Sequence, residues 1–151
     1  LGGYSIPNPI YNFVRDEVRK VLVDLKPNEA ISGMALGLDQ WAAELCIELG
    51  IPFVAAIPFK GQENYWPAES RERYYKLLAA AARVEVVNRG GFASWKMQTR
   101  NQWMVDNSDI VIAVFDGTPG GTKNCYDYAT DAKKRIIRIN PQDYKKLLGV
   151  I

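Results

Sequence analysis

Residues 31–44 read ISGMALGLDQWAAE, and the fold follows from how this stretch is parsed. The apolar run Glu29-Ala30-Ile31-Ser32 reads as the end of a buried strand. Gly33-Met34-Ala35-Leu36-Gly37 reads as a flexible turn. Asp39 sits where a helix N-cap belongs, and Gln40 to Leu49 carries helix-forming residues. The parse is strand, glycine turn, helix. A helix N-terminus points unpaired N–H groups outward and carries partial positive charge, so it can hold a phosphate. Glycine lets the backbone approach a ligand closely. The plainer reading is a turn that only connects strand to helix.

Working outward, residues 10–25 place Phe13, Val14, Val18, Val21, Leu22 and Leu25 at helical spacing, and Pro27 ends that helix. Asn8 is a candidate cap with Pro9 in the first turn. Downstream, FVAAI at 53–57 is a strand-length apolar run, as expected of a strand buried on both faces. PFKGQENYWP at 58–67 is a loop, and a helix is expected from residue 68 or 69 to 82. Short strands are expected at 84–87, 109–115 and 135–139, and helices at 94–105, 125–133 and 141–148. A second glycine-rich loop, DGTPGGTKN at 116–124, follows the strand at 109–115. Strands alternating with helices predict an α/β fold, a Rossmann-like parallel sheet with helices on both faces. No repeat or linker divides the chain, so one domain over 1–151 is expected. Both glycine loops follow strands and should share the carboxyl edge of the sheet, where such folds bind ligands.

Composition narrows the function classes. The 151 residues are 48% hydrophobic and 24% charged, as in globular proteins. Nineteen basic against 17 acidic residues leave a net charge of +2, too balanced to argue for nucleic acid or a membrane surface. No apolar run has the length of a membrane helix. Cys46 and Cys125 give neither metal spacing nor a disulfide framework, which points to a reducing cytoplasm. The absence of histidine removes His-based acid–base chemistry and His-ligated metals from this stretch of chain. No metal and no cofactor is expected.

Three separated stretches carry a family resemblance. SGMALGLDQWAAE at 32–44 resembles the S-G-x-A-x-G-[IV]-D loop of DprA/Smf proteins. MQTRNQWMVDNSDIVIAVFDGTPGGT at 97–122 resembles the Met-x-x-Arg helix, the Ser/Ala-Asp strand and the PGG-x-GT loop of LOG proteins. Order and spacing resemble the SLOG superfamily, and within it the YpsA-like branch of small bacterial and phage proteins. That branch usually opens with a strand ending in Gly-His-Arg-Pro, ahead of a Leu-Gly-Gly-Tyr like Leu1 to Tyr4. The resemblance therefore implies a further central strand in the whole protein, and in the sheet of this stretch either a gap or an intruding strand.

The resemblance also implies a nucleotide or nucleotide-derived ligand. LOG members hydrolyse the N-glycosidic bond of nucleoside 5′-monophosphates with an Arg and a Glu. Arg100 matches the Arg, but Cys125 stands where the Glu belongs. An oxocarbenium-like transition state needs nearby negative charge, and a thiol supplies it poorly. Asp39, Glu44 or Asp116 are the candidate substitutes, so Arg100, Asp39 and Glu44 form the candidate catalytic set. The candidate ligand-binding set is Ser32, Gly33, Met34, Ala35, Gly37, Asp39, Gln62, Trp66, Arg100, Asn101, Asp116, Gly117, Gly120, Gly121, Thr122 and Asn124.

Each has a plainer alternative. Arg100 reads equally as a surface ion-pair residue, Asp39 as a cap, and Trp66 as a base-stacking ring or a lid on the core. Trp41 and Trp103 read as packing or as a dimer face, and a homodimer is the expectation because LOG proteins are dimers. Three functions remain open: a sensor or sequestering protein, a LOG-like phosphoribohydrolase, and a non-catalytic interaction module.

Overall fold

The computed structural model describes residues 9–147. Asn8, the expected first cap, lies outside them. In chain order the elements are α1 (Pro9–Leu25), β1 (Ala30–Ser32), α2 (Leu38–Leu49), β2 (Phe53–Ile57), α3 (Ala68–Ala80), β3 (Arg83–Val86), α4 (Trp95–Asp106), β4 (Ile110–Val114), α5 (Gly121–Asp131), β5 (Arg135–Ile139) and α6 (Asp143–Leu147). Every paired strand is parallel, giving the expected Rossmann-like α/β architecture. The continuous apolar run at 53–57 is β2, buried at all five positions as a strand covered on both faces must be. The helix expected from residue 125 begins four residues earlier, because Gly121–Asn124 form its first turn.

Strands β1, β2 and β3 form one sheet in that order, and β4 and β5 form a second. Right-handed crossovers from β1 to β2 and from β2 to β3 put α2 and α3 on one face. The chain then runs back across the molecule; the same crossover rule places α4 and α5 on the opposite face, and the two pack on each other. α1 packs on α2. The core gathers Val14, Val18 and Leu22 of α1, Leu45 and Cys46 of α2, Phe53 and Ile57 of β2, Tyr74 and Leu77 of α3, and Ile139 of β5. β3 is an edge strand with Val84 and Val86 about half exposed.

The two sheets do not join. A cavity of about 860 Å³ runs between them, lined by Glu29 to Ser32 on one side and all of Ile110 to Val114 on the other. Side chains alternate faces along a strand, so a space touching five consecutive residues lies along the strand edge, not over one face. The expected gap in the sheet is therefore present, between β1 and β4.

Candidate functional site

The loop after β1 is closed by its own side chains. Ser32 Oγ donates to Asp39 O (2.7 Å) and accepts from Met34 N (3.2 Å). Asp39 Oδ2 accepts from Ala35 N (3.2 Å), and Gln40 Nε2 donates to Met34 O (3.3 Å). Met34 takes a left-handed φ of 59°, and its fully buried side chain is part of the core. The N-cap of α2 is Gly37, at φ 91°, with no side-chain cap bond. Asp39 is thus inside the first turn of α2, not its N-cap as the sequence suggests; its carboxylate turns back onto the loop instead.

Arg100 is buried at 5% exposure, which removes the surface ion-pair reading. Its Nη1 donates to Gly33 O (2.5 Å) and Ala56 O (3.3 Å), and its Nε to Asn101 Oδ1 (3.0 Å). One guanidinium thereby ties the ends of β1 and β2 together from α4. A Cβ on Gly33 would fall 2.9 Å from both Arg100 Nη1 and Asp39 Oδ2, so only glycine leaves room for the two side chains. Burial pushes the Asp39 carboxyl above the usual carboxylate range, and Arg100 opposes that shift. Burial also lowers Arg100, with Asp39 opposing.

α5 brings the second glycine loop to the same place. Ser32, Asp39, Arg100, Asn101, Gly121, Thr122 and Cys125 line one cavity, continuous with the gap between β1 and β4. Gly120 caps α5 at φ 145°, again with no side-chain cap bond. Gly120, Gly121, Thr122 and Asn124 are exposed, and a Cβ on Gly120 or Gly121 would meet nothing within 4 Å. Asp116 is exposed, and its Oδ1 accepts from the backbone N–H (3.0 Å) and hydroxyl (2.7 Å) of Thr118, bonds that lower its carboxyl below the usual range. It stiffens the turn at Gly117. Cys125 sits beside Arg100 and Asp39; burial first, then Asp39, pushes its thiol up. The thiol is therefore neutral at pH 7 and brings no negative charge to the LOG glutamate position.

The loop after β2 contributes differently from expectation. Trp66 packs edge-on against Tyr74 (5.2 Å) and joins the core periphery, so the structure favours the lid reading over base stacking. Gln62 Nε2 donates to the Tyr74 hydroxyl (3.2 Å). Between them Glu63 is buried, at 9% exposure. Sequence reasoning passed over Glu63, because a polar residue in a glycine-containing loop carries no periodic sign of burial, and over Tyr74, which lies on α3. Glu44 is partly buried on α2, outside the cavity lining. Trp41 is buried and packs on Tyr11, the packing reading rather than the dimer one. Among the described residues, no three His, Cys, Asp or Glu side chains cluster to hold a metal, and no helix is long and apolar enough to cross a membrane.

The chain resembles known proteins along nearly its whole length. It is 34% identical to the uncharacterized SPbeta prophage-derived protein YoqJ of Bacillus subtilis, over 89% of this chain and 91% of that one. It is 28% identical to a UPF0398 protein of Oceanobacillus iheyensis, over 86% of this chain and 74% of that one. Among solved structures, DNA processing protein A (DprA) of Streptococcus pneumoniae superposes with a TM-score of 0.66 over 98% of this chain. At 17% identity that likeness shows a shared fold, and this chain spans about half of the DprA chain. The family model described as the YspA SLOG family, YpsA, matches residues 5–144, and the chain belongs to that family.

Proposed function

We propose that this chain binds a nucleotide or nucleotide-derived molecule at the carboxyl edge of the sheet, as a sensor or sequestering protein. One observation carries the reading: two helix N-termini without side-chain caps, those of α2 and α5, border the cavity lined by the buried Arg100 and the half-buried Asp39. Bare N–H groups and helix dipoles suit a phosphate, and the open space over Gly120 and Gly121 lets it approach the backbone. Asp39, Asn101 and Thr122 are polar groups suited to a sugar. Ser32, Gly33, Met34, Ala35 and Gly37 act as the frame of the site.

Thermal melting against nucleoside monophosphates, ADP-ribose, NAD and cyclic nucleotides tests the reading. A ligand at about 100 times its dissociation constant adds roughly 2.7 kcal/mol, a shift of roughly 5–10 °C for a chain of this size. Gly121→Ala is the control. Its Cβ meets no neighbour, so the fold keeps its melting temperature, while the methyl group stands in the path of a phosphate and the ligand shift shrinks. A flat panel, or a Gly121→Ala protein that binds as the wild type does, sinks the proposal.

A second reading, N-glycosidic hydrolysis, is favoured by one observation: the burial-raised carboxyl of Asp39 beside Arg100 could serve as acid or base. Release of free base from AMP by the wild type, absent in Asp39→Asn, is its test.

A further inference from the structure

Arg100 has more donors than the fold uses. Its Nη1 donates to Gly33 O and Ala56 O, and its Nε to Asn101 Oδ1 (3.0 Å); Nη2 has no partner among the described residues. Asn101 is left in the same state. A guanidinium only donates, so the amide presents its oxygen to Nε, and its Nδ2 is left without an acceptor. Among the described residues the fully buried side-chain atoms without a partner are Gln40 Oε1 and Glu63 Oε1, so Nη2 and Nδ2 both keep accessible surface. Arg100 and Asn101 line the cavity.

An acceptor stands near these donors. Asp39 lines the same cavity; it uses Oδ2 for Ala35 N and leaves Oδ1 unpaired. A Cβ on Gly33 would lie 2.9 Å from Arg100 Nη1 and from Asp39 Oδ2, so guanidinium and carboxylate border one small space. No ion pair among the described residues joins the two. A donor and an acceptor held near each other without touching suit a group that accepts from one and donates to the other. A hydroxyl does both. A phosphate oxygen only accepts, and the carboxylate repels it.

We propose that this part of the cavity holds the sugar of the ligand and selects a ribose with both vicinal hydroxyls free, Asp39 Oδ1 accepting from them while Arg100 Nη2 and Asn101 Nδ2 donate. The inference rests on the nucleotide-binding reading and adds sugar specificity to it, with Asn101 as the discriminating residue. The phosphate then belongs at the uncapped end of α5, where Gly121 and Thr122 line the same cavity.

The test measures the affinity of the wild type and of Asn101→Asp for AMP, 2′-deoxy-AMP and 3′-deoxy-AMP. Aspartate keeps the oxygen that Arg100 Nε needs and adds charge to that bond, so the unliganded variant melts at or above the wild type. It replaces the Nδ2 donor by a second acceptor. The wild type binds AMP about tenfold or more tighter than at least one deoxy analogue, the size of one lost hydrogen bond. In Asn101→Asp that ratio falls to about threefold or less. A new charge acting on the phosphate weakens all three ligands alike and leaves the ratio untouched. Equal wild-type affinity for AMP and both analogues overturns the proposal, as does a ratio that Asn101→Asp leaves at the wild-type value. Melting several degrees lower in Asn101→Asp overturns the amide orientation on which it stands. If 3′,5′-cyclic AMP, whose 3′-oxygen is esterified, binds as tightly as AMP, this proposal alone falls. If neither these ligands nor any nucleotide of the wider panel binds, the nucleotide reading falls and takes this one with it.

Discussion

Arg100 carries a full charge with 5% of its surface exposed; it satisfies the carbonyls of Gly33, just after β1, and of Ala56 in β2, and the Asp39 carboxyl favours its charge. Removing Arg100 leaves two buried carbonyls without their donor and the half-buried Asp39 carboxylate without its nearby positive charge. Arg100→Ala should therefore lower unfolding stability by roughly 3–5 kcal/mol, read as a drop in the urea midpoint. Because Asp39 is the charge left stranded, adding Asp39→Asn should recover part of the loss; strict additivity of the two changes would sever the coupling. A loss of ligand binding in Arg100→Ala alone then says little about contact with ligand. Motif resemblance picked out Arg100 in the sequence, but its burial was not legible, since its carbonyl partners lie 67 and 44 residues away. Burial also acts on neutral groups. It pushes the Cys46 thiol up to about 11 and the Tyr74 phenol up to about 12. Both fold best protonated, so their contribution is complete below the unfolded values near 9 and 10 and drains away as pH rises toward 11 and 12. Stability should fall above pH 9 by on the order of 2 kcal/mol per group. In Cys46→Ala the decline between pH 9 and 11 should be shallower; an unchanged slope in urea titrations at several pH values would remove Cys46 as a cause.

At the scale of elements, the loop between β1 and α2 leaves the N-terminus of α2 without a side-chain cap. Its closure depends on Ser32, whose hydroxyl bridges the backbone at Met34 and at Asp39. Ser32→Ala leaves the buried Met34 N–H without its acceptor, a cost of about 1–3 kcal/mol. The expected sign is faster hydrogen exchange at Met34 and Ala35, with the amides of β2 unaffected. If exchange is unchanged at both amides, the hydroxyl does not hold the loop. The elements were largely readable because periodicity and punctuation agree: FVAAI is β2 to the residue, and Gly50 ends α2 in a left-handed conformation. The caps were less readable. A glycine two residues before Asp39 takes the cap because only it reaches φ 91°, and no propensity separates those two positions. Lys96 is another hidden case: its ammonium is buried against the carbonyls of Arg89 and Gly91, pinning the loop after β3.

For the whole molecule, the decisive feature is a parallel sheet in two pieces, with the cavity at the carboxyl edge continuing into the space between them. The gap was anticipated from family resemblance; no periodicity within the chain announces it, because β1 and β4 read as ordinary strands. Its consequence is written in the backbone. Ala30 N donates toward β2 through Pro52 O, and Phe115 N toward β5 through Ile139 O. Alternation along each strand then turns the N–H groups of Ile31, Ile112 and Val114 toward the cavity. Val111 and Ala113 turn toward β5, with which they are in register. In native-state hydrogen exchange, Ile31, Ile112 and Val114 should therefore exchange far faster than Val111 and Ala113, although all five lie in strands. A longer chain that brings an extended segment into the cavity should slow those three amides selectively and raise the melting temperature. Equal protection at all five amides in the present chain would mean that β1 and β4 pair directly in solution. The proposed ligand would then have only the carboxyl-edge mouth of the cavity, beside α2, α4 and α5, in which to bind.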